Sequence, residues 1–478
     1  MLLMNVLDKM DTTKLMNVNS NQEKVQKEIS RLSQKKRKDM TSRERVRLLQ
    51  LKLYLKAKQE KDYKFYILYD KLFQPYVLEV AYQRVKAKNG KPGIDKQTFE
   101  DVEKYGRSKF LQELGEELRK RTYRPQAVKR VMIEKENGGE RPLGIPTIRD
   151  RVAQTACKLV IEPTWEADFD ESSYGFRPKR SAKDAITAIR VNLQRGKHAV
   201  YDADLSKYFD TIPHDKLEIA LKERIADARV LHLIKQWLKA PVVEQDGSYT
   251  GGKGSKQGTP QGGVISPLLA NIYMNLLDRI VNKPEGYFSN RGITMIRYAD
   301  DFILMSNGIG PDAIQKVHDY LARMGLIINP DKSKLVNATD SSFDFLGFTF
   351  RYGRSIFSKQ GRFWSVTPKS QSLKKIRQKI NIRLKQIGHY RAEQVVHELN
   401  PIIRGWMNYY KIEKVSQTQV SFKKLEDYLR QRLNRYYNRK SQRKSRLFRH
   451  QAFDLLVKEY GLIKPYRTSG LRPVNTLR

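Results

Sequence analysis

Cysteine is almost missing from this chain: Cys157 is the only one in 478 residues. No internal disulfide can form, and no cysteine-built zinc cage is available. Histidine is also scarce, with seven scattered residues, which argues against a His-rich metal cluster. No long uncharged apolar run occurs, and the opening Met1-Leu2-Leu3-Met4 soon meets Asp8, Lys9 and Asp11, so it makes a poor signal peptide. These absences point away from a membrane and toward the cytoplasm. Negative charge is the remaining shortage. Against 52 Asp+Glu stand 92 Lys+Arg, a formal charge of +40 spread too widely to belong to a tail. The natural partner is a polyanion, because each neutralised phosphate releases a counterion and adds affinity whatever the sequence. A ribosome-associated or merely soluble basic protein would carry the same charge, so composition alone does not decide between them.

What is present divides the chain into four stretches, enough for two or three domains. Residues 1–62 form a basic extension that is partly helical. It holds the run Lys35-Lys36-Arg37-Lys38, and Val46, Leu48, Leu49, Leu51 and Leu53 mark an amphipathic helix. A partly disordered, solvated segment is an equal reading of the first twenty residues. Over 63–351, β-rich runs (Val128–Glu134, His198–Leu205, Met295–Met305 and Phe343–Phe350) alternate with amphipathic helices and Gly/Pro punctuation. This predicts an α+β domain on an antiparallel sheet. The stretch 352–440 reads as all-helical and basic, with apolar stripes Leu373/Ile376/Ile380/Leu384/Ile387, Val395/Leu399/Ile402/Trp406 and Phe422/Leu425/Leu429/Leu433/Tyr436. Residues 441–478 form a basic tail suited to DNA.

Two acidic sites stand out against this background. In Val200-Tyr201-Asp202-Ala203-Asp204-Leu205 a short strand ends in carboxylates. In Ile296-Arg297-Tyr298-Ala299-Asp300-Asp301-Phe302-Ile303-Leu304 an acidic pair separates two apolar arms, predicting a hairpin with the pair at its turn. Adjacent carboxylates repel unless a cation neutralises them. Mg²⁺ favours such hard oxygen ligands and keeps positions open for water and phosphate. If the strands pair, Asp204 and Asp300 can share two ions, the arrangement that serves in-line phosphoryl displacement. An isolated Asp-Asp is usually a solvated turn; the apolar arms and the second acidic strand reverse that preference. Between the two sites lies Gln257-Gly258-Thr259-Pro260-Gln261-Gly262-Gly263, whose glycines permit close backbone approach to a bulky ligand. Ser266 then reads as a helix N-cap and Pro267 as the first helical residue.

Together these features resemble the reverse transcriptases encoded by group II introns. Tyr298-Ala299-Asp300-Asp301 is the most specific match, joined by the Gly258–Gly263 loop. Further matches are Arg141-Pro142-Leu143-Gly144-Ile145-Pro146, Ser173-Tyr174-Gly175-Phe176-Arg177-Pro178, Asn329-Pro330-Asp331-Lys332-Ser333-Lys334 and Phe345-Leu346-Gly347-Phe348. The resemblance runs from about Phe65 to about Arg439 and implies a right-hand polymerase. Its fingers and palm would carry the antiparallel sheet, and an all-helical thumb/maturase domain would follow. It further implies RNA-directed DNA synthesis with two Mg²⁺ ions (Mn²⁺ as substitute), dNTPs, and an RNA template with a DNA or RNA primer. Asp204 and Asp300 would be the main metal ligands, with Asp301 supporting and the Leu205 carbonyl assisting. Phe209 would press on the incoming sugar and exclude a ribose 2′-hydroxyl. Lys135 and Arg141 would hold the triphosphate, Gln261 would touch the nascent base pair, and Lys332 would lie near the leaving pyrophosphate.

The segment Leu399-Asn400-Pro401-Ile402-Ile403-Arg404-Gly405-Trp406-Met407-Asn408-Tyr409-Tyr410 resembles the family's maturase region, which implies binding of intron RNA and help with its splicing. Packing is the expected role of Trp406; the tyrosines are open. Many relatives add a cysteine-bearing endonuclease module, which a chain with Cys157 alone cannot contain in that form. Contact with target DNA would then rest on the basic tail, with the protein in a bacterial cytoplasm, at the nucleoid when acting on DNA. The alternatives are a free-standing reverse transcriptase with a host role such as phage defence, an RNA-dependent RNA polymerase, and an RNA-binding splicing factor with a vestigial site.

Overall fold

The computed structural model describes residues 22–134, 139–259, 262–354, 361–388 and 390–466. Among the described residues eleven strands run in chain order: β1 (Val128–Glu134), β2 (Glu140–Ile145), β3 (Ala199–Ala203), β4 (Pro241–Val243), β5 (Tyr249–Gly251), β6 (Thr294–Tyr298), β7 (Asp301–Ser306), β8 (Lys334–Asn337), β9 (Phe343–Phe345), β10 (Phe348–Arg354) and β11 (Arg362–Pro368). They build three sheets, of order β2-β1-β4-β5, β6-β7-β3-β8 and β11-β10-β9. The chain divides into two compact units, one made of Met1–Arg180, Ala203–Phe302 and Gly310–Ser333, the other of Ser181–Asp202, Ile303–Ile309 and Lys334–Arg478. Among the described residues no helix is long and apolar enough to cross a membrane.

The first unit is built around the helix Ile148–Glu166, which buries Val152, Ala153, Ala156, Cys157, Leu159, Val160 and Ile161. A helix buried on nearly every side needs cover all round. The amphipathic helix predicted near Val46 supplies part of it as Ser42–Gln59, burying Val46, Leu51, Leu53 and Ala57. Thr41 and Glu44 close a reciprocal capping box at its start, and Gln50 Nε2 donates to the Leu159 carbonyl at 2.9 Å. β1 and β2 pair antiparallel from Lys129↔Ile145 to Glu134↔Glu140. β1 also meets β4 in parallel at Val128↔Val242. The sheet is therefore mixed, where an antiparallel one was expected.

In the second unit, the run Phe343–Phe350 is two strands rather than one. Leu346 (φ +47°) and Gly347 (φ +78°) turn the chain back between β9 and β10. Residues 352–369 were expected to open an all-helical stretch. Instead β10 continues to Arg354, β11 occupies Arg362–Pro368, and the first helix starts at Ser370. The reason is local: Trp364, Val366 and Pro368 are buried at alternate positions, a period of two that suits a strand. The helices Ser370–Gln386, Ala392–Tyr410 and Gln419–Tyr437 follow the three apolar stripes and share one core built on Ile380, Leu384, Leu399, Leu425 and Leu429. A fourth helix, Ala452–Tyr460, adds Phe453 and Leu456 to that core. The supposed basic tail is thus part of the bundle through its first half. Trp406 packs on Tyr410 and Phe422 at ring distances of 5.0 and 5.7 Å. Tyr409 donates its hydroxyl to the Leu346 carbonyl at 3.0 Å, so both tyrosines serve packing against the β9–β10 turn.

Candidate active site

Strands β6 and β7 are joined by the two residues Ala299 and Asp300, which places one carboxylate in the turn and Asp301 at the start of the next strand. Ala299 is held in the left-handed region at φ +60°, an unfavourable conformation for an L-residue that needs outside support. The support is Arg297. Its Nη1 donates to the Ala299 carbonyl at 2.8 Å and to Asn271 Oδ1 at 3.0 Å, its Nη2 to Ser173 Oγ at 2.8 Å, and its Nε to Asp278 Oδ1 at 2.7 Å. A second bond from Nη2 completes the ion pair with Asp278. Arg297 and Asp278 are both fully buried. Asn271, from the helix Ser266–Val281, donates in turn to the Gly175 carbonyl at 2.7 Å. Gly175 lies so close that a Cβ there would sit 2.3 Å from the Ala299 nitrogen.

Asp204, just beyond β3, is fixed by the segment Asn329–Ser333. The Asn329 N–H donates to the Asp204 carbonyl at 2.8 Å, and the Asp204 N–H donates to Ser333 Oγ at 3.1 Å. The Asn329 side chain accepts from the Asp331 N–H at 3.1 Å, a local turn that brings Lys332 round. Lys332 Nζ then lies 3.3 Å from Asp204 Oδ2. Leu205 faces Ile328 in an antiparallel bridge whose hydrogen bonds come from its neighbours, Asp204 and Ser206. A residue in such a non-bonded pair turns its own N–H and C=O toward the opposite edge of the strand.

The two acidic sites meet electrostatically. Burial pushes the Asp300 carboxyl above the ordinary aspartate range, and the charge of Asp204 pushes it the same way. Its own backbone N–H, together with the charges of Arg141 and Arg297, pulls it back. Arg141 lies on β2 opposite Ile133, and its charge is felt at Asp300. Two half-buried, mutually repelling carboxylates form a donor set of the kind Mg²⁺ takes, since that ion commonly uses one or two carboxylates and completes its shell with phosphate and water. Among the described residues no three His, Cys, Asp or Glu side chains gather into a full protein cage. Asp301 is exposed.

Phe209 is buried, 7 % exposed, in the short helix Tyr208–Thr211. Its carbonyl accepts from the Thr259 N–H at 2.7 Å, and the Gly258 N–H donates to the Ile212 carbonyl at 2.8 Å. The glycine-rich segment is thus packed on the protein's own backbone: a Cβ on Gly258 would lie 3.0 Å from the Asp210 carbonyl oxygen, and one on Gly262 2.2 Å from that of Gly144. Close approach was anticipated there, but toward a ligand. His214 Nε2 also reaches the Gly258 carbonyl, at 2.7 Å. Ser266 is not the N-cap of the following helix, which begins at that residue with Ile265 before it. Gln154 Oε1 instead fixes the approach to that helix, accepting from Val264 N–H at 2.8 Å. The two remaining expected contacts, Lys135 and Gln261, lie outside the described residues.

Sequence reasoning did not find Arg297, Asp278, Asn271 or Gln154. An Arg in a strand of otherwise apolar residues, with an Asp in the apolar helix Ser266–Val281, was the available signal. A charge in a buried periodic position needs a partner.

Residues 133–350 match a family model described as reverse transcriptase (RNA-dependent DNA polymerase), and residues 373–453 match the group II intron, maturase-specific domain. Protein YkfC of Escherichia coli K12 is 35% identical over 298 residues, covering 55% of this chain and 76% of YkfC. The uncharacterized 91 kDa protein in cob intron of Schizosaccharomyces pombe is 27% identical over 431 residues, 74% of this chain and 52% of that protein. The group II intron-encoded protein LtrA of Lactococcus lactis subsp. cremoris is 35% identical over 221 residues, 46% of this chain and 36% of LtrA. The chain therefore spans most of YkfC but only about half, or less, of these two intron proteins.

Proposed function

The chain belongs to the group II intron reverse transcriptase/maturase family, and on that footing we propose that it is an RNA-directed DNA polymerase that copies intron RNA into cDNA and binds that RNA to assist splicing and mobility. The observation that carries this reading is the meeting of Asp204 and Asp300 on two independently braced backbones, with Arg141 and Lys332 close by. In this reading Asp204 and Asp300, helped by the Leu205 carbonyl and by Asp301, hold two Mg²⁺ ions; Mn²⁺ is the chemical substitute. When bound, such ions activate the primer 3′-hydroxyl and neutralise charge on the phosphates.

The protein's own groups do the rest. Arg141 and Lys135, from the β1–β2 region, clamp the dNTP triphosphate through charge-assisted bonds. Lys332, which pairs with Asp204 here, exchanges that partner for the departing pyrophosphate. Phe209 limits room at the sugar 2′ position, and Gln261 contacts the pair being formed. The helices from Ser370 to Tyr460 act as the thumb and maturase surface, gripping RNA through the basic faces left free by their shared core. Template RNA, a DNA or RNA primer, and target DNA all present the phosphate that a charge of +40 favours.

Primer extension on an RNA template tests this. Synthesis with dNTPs that depends on Mg²⁺ and is poor with NTPs is expected; ribonucleotide polymerisation, or none with any divalent ion, would refute it.

A further inference from the structure

The guanidinium of Arg297 has five N–H bonds, and five acceptors surround it: both oxygens of Asp278, Asn271 Oδ1, Ser173 Oγ and the Ala299 carbonyl. Four of these partners are buried groups of the framework. The fifth is the carbonyl immediately before Asp300. Because a peptide unit is planar, fixing the Ala299 C=O fixes the Asp300 N–H and Cα in the same plane, and with them the point from which the Asp300 side chain leaves the backbone. The other side of the turn is closed by Gly175, whose missing Cβ leaves room for the Ala299 nitrogen. Gly175 is itself held by Asn271, which also accepts from Arg297. Backbone bonds reinforce the contact: Tyr174 N–H donates to the Arg297 carbonyl and Arg297 N–H to the Ser172 carbonyl, each at 2.9 Å.

We infer that Arg297, Asp278, Asn271 and Gly175 form a positioning unit that sets the place of the Asp300 carboxylate. None of them touches substrate; they act through the turn. The arrangement explains why a Ser-Tyr-Gly segment 125 residues before Asp300 bears on the site at all: Ser173 and Gly175 are two walls of the Asp300 turn. Lysine cannot replace Arg297, since an ammonium has three donors where five are engaged. This inference rests on the reading of Asp300 as a metal ligand.

The test uses the full chain and the variants Gly175→Ala, Asn271→Ala and Asp300→Asn. Five quantities are measured: Mn²⁺ affinity by electron paramagnetic resonance, kcat and KM for dNTP, primer–template affinity, and melting temperature. Gly175→Ala removes no hydrogen bond but forces the turn outward. It should lower kcat by about 10²-fold, as a ~1 Å misplacement does, while primer–template affinity stays within about twofold. Mn²⁺ affinity should fall by roughly tenfold, and the same substitution should cause no further fall in an Asp300→Asn background, because residues acting through one group are not additive. Asn271→Ala, which introduces no clash, should show a smaller loss of the same pattern and covers the case in which Gly175→Ala fails to fold. Folded variants with unchanged Mn²⁺ affinity and kcat would overturn the inference, as would additive losses in the Asp300→Asn background. If Asp300→Asn alone leaves metal binding and synthesis intact, the proposed function falls, and the positioning role with it.

Discussion

Replacing Arg297 by Met removes one member of an ion pair in which both side chains have no exposure to solvent. Methionine fills comparable volume, so the main effect is to leave Asp278 charged and unpaired, together with orphaned acceptors on Asn271, Ser173 and Ala299. Breaking a buried pair this way costs about 3–5 kcal/mol. For a unit of this size that corresponds to a fall in Tm of roughly 10 °C. The cost must also depend on pH. Burial already raises the Asp278 carboxyl above its ordinary range, and Arg297 is the main group opposing that rise. Without the guanidinium the folded pKa moves further above the unfolded one. The penalty then grows as pH climbs from the unfolded carboxylate range toward the folded value, and shrinks as pH falls below it. Urea denaturation followed by circular dichroism at pH 5 and pH 8 should show the variant closer to wild type at pH 5. The double variant Arg297→Met/Asp278→Leu should recover most of the loss, since an apolar pair can replace a buried ionic one. A deficit below about 1 kcal/mol, or one equal at both pH values, would refute the reasoning.

Three further outcomes are expected. Phe209→Ala should admit ribonucleotides, read as the ratio of dNTP to NTP incorporation; because the ring is buried, a stability loss of about 3–5 kcal/mol accompanies it, and the assay belongs at low temperature. Gly262→Ala, at φ +105° and against the Gly144 carbonyl, should displace the β1–β2 hairpin that carries Arg141. The overpacking is worth about 1–3 kcal/mol, so the KM for dNTP should rise roughly tenfold or more in steady-state kinetics. RNA affinity measured by filter binding should fall steeply between about 50 and 200 mM salt, as phosphate contacts require.

The sequence was most readable where a pattern is local. β1 occupies the predicted run Val128–Glu134, and the hairpin around Asp300 follows from two apolar arms meeting at polar residues. The three bundle helices follow their stripes because burial repeats every three to four residues there. What escaped is long-range. The bracing of Asp300 by Ser173, Gly175, Asn271 and Asp278 joins three separate segments, and no periodicity records which buried charge finds which partner. The bond from Val264 N–H to Gln154 just before that helix spans over a hundred residues and so could not be read from neighbouring sequence. Ser266 misled because its type suits a cap while its backbone is already helical. In 352–369 the basic composition drew attention to helix, whereas alternation at Trp364, Val366 and Pro368 signalled strand. Ala452–Tyr460 was passed over because a single short helix buries too little to stand out beside its charges.

The central claim is that Asp204 and Asp300 act together on metal-dependent DNA synthesis. Parallel measurement of primer extension and RNA affinity for Asp204→Asn and Asp300→Asn addresses it most directly. Loss of synthesis in both variants, with RNA binding within about twofold of wild type, is the predicted result, because phosphate contacts dominate that affinity. Synthesis that survives either substitution, or RNA binding that collapses in step with it, would contradict the claim.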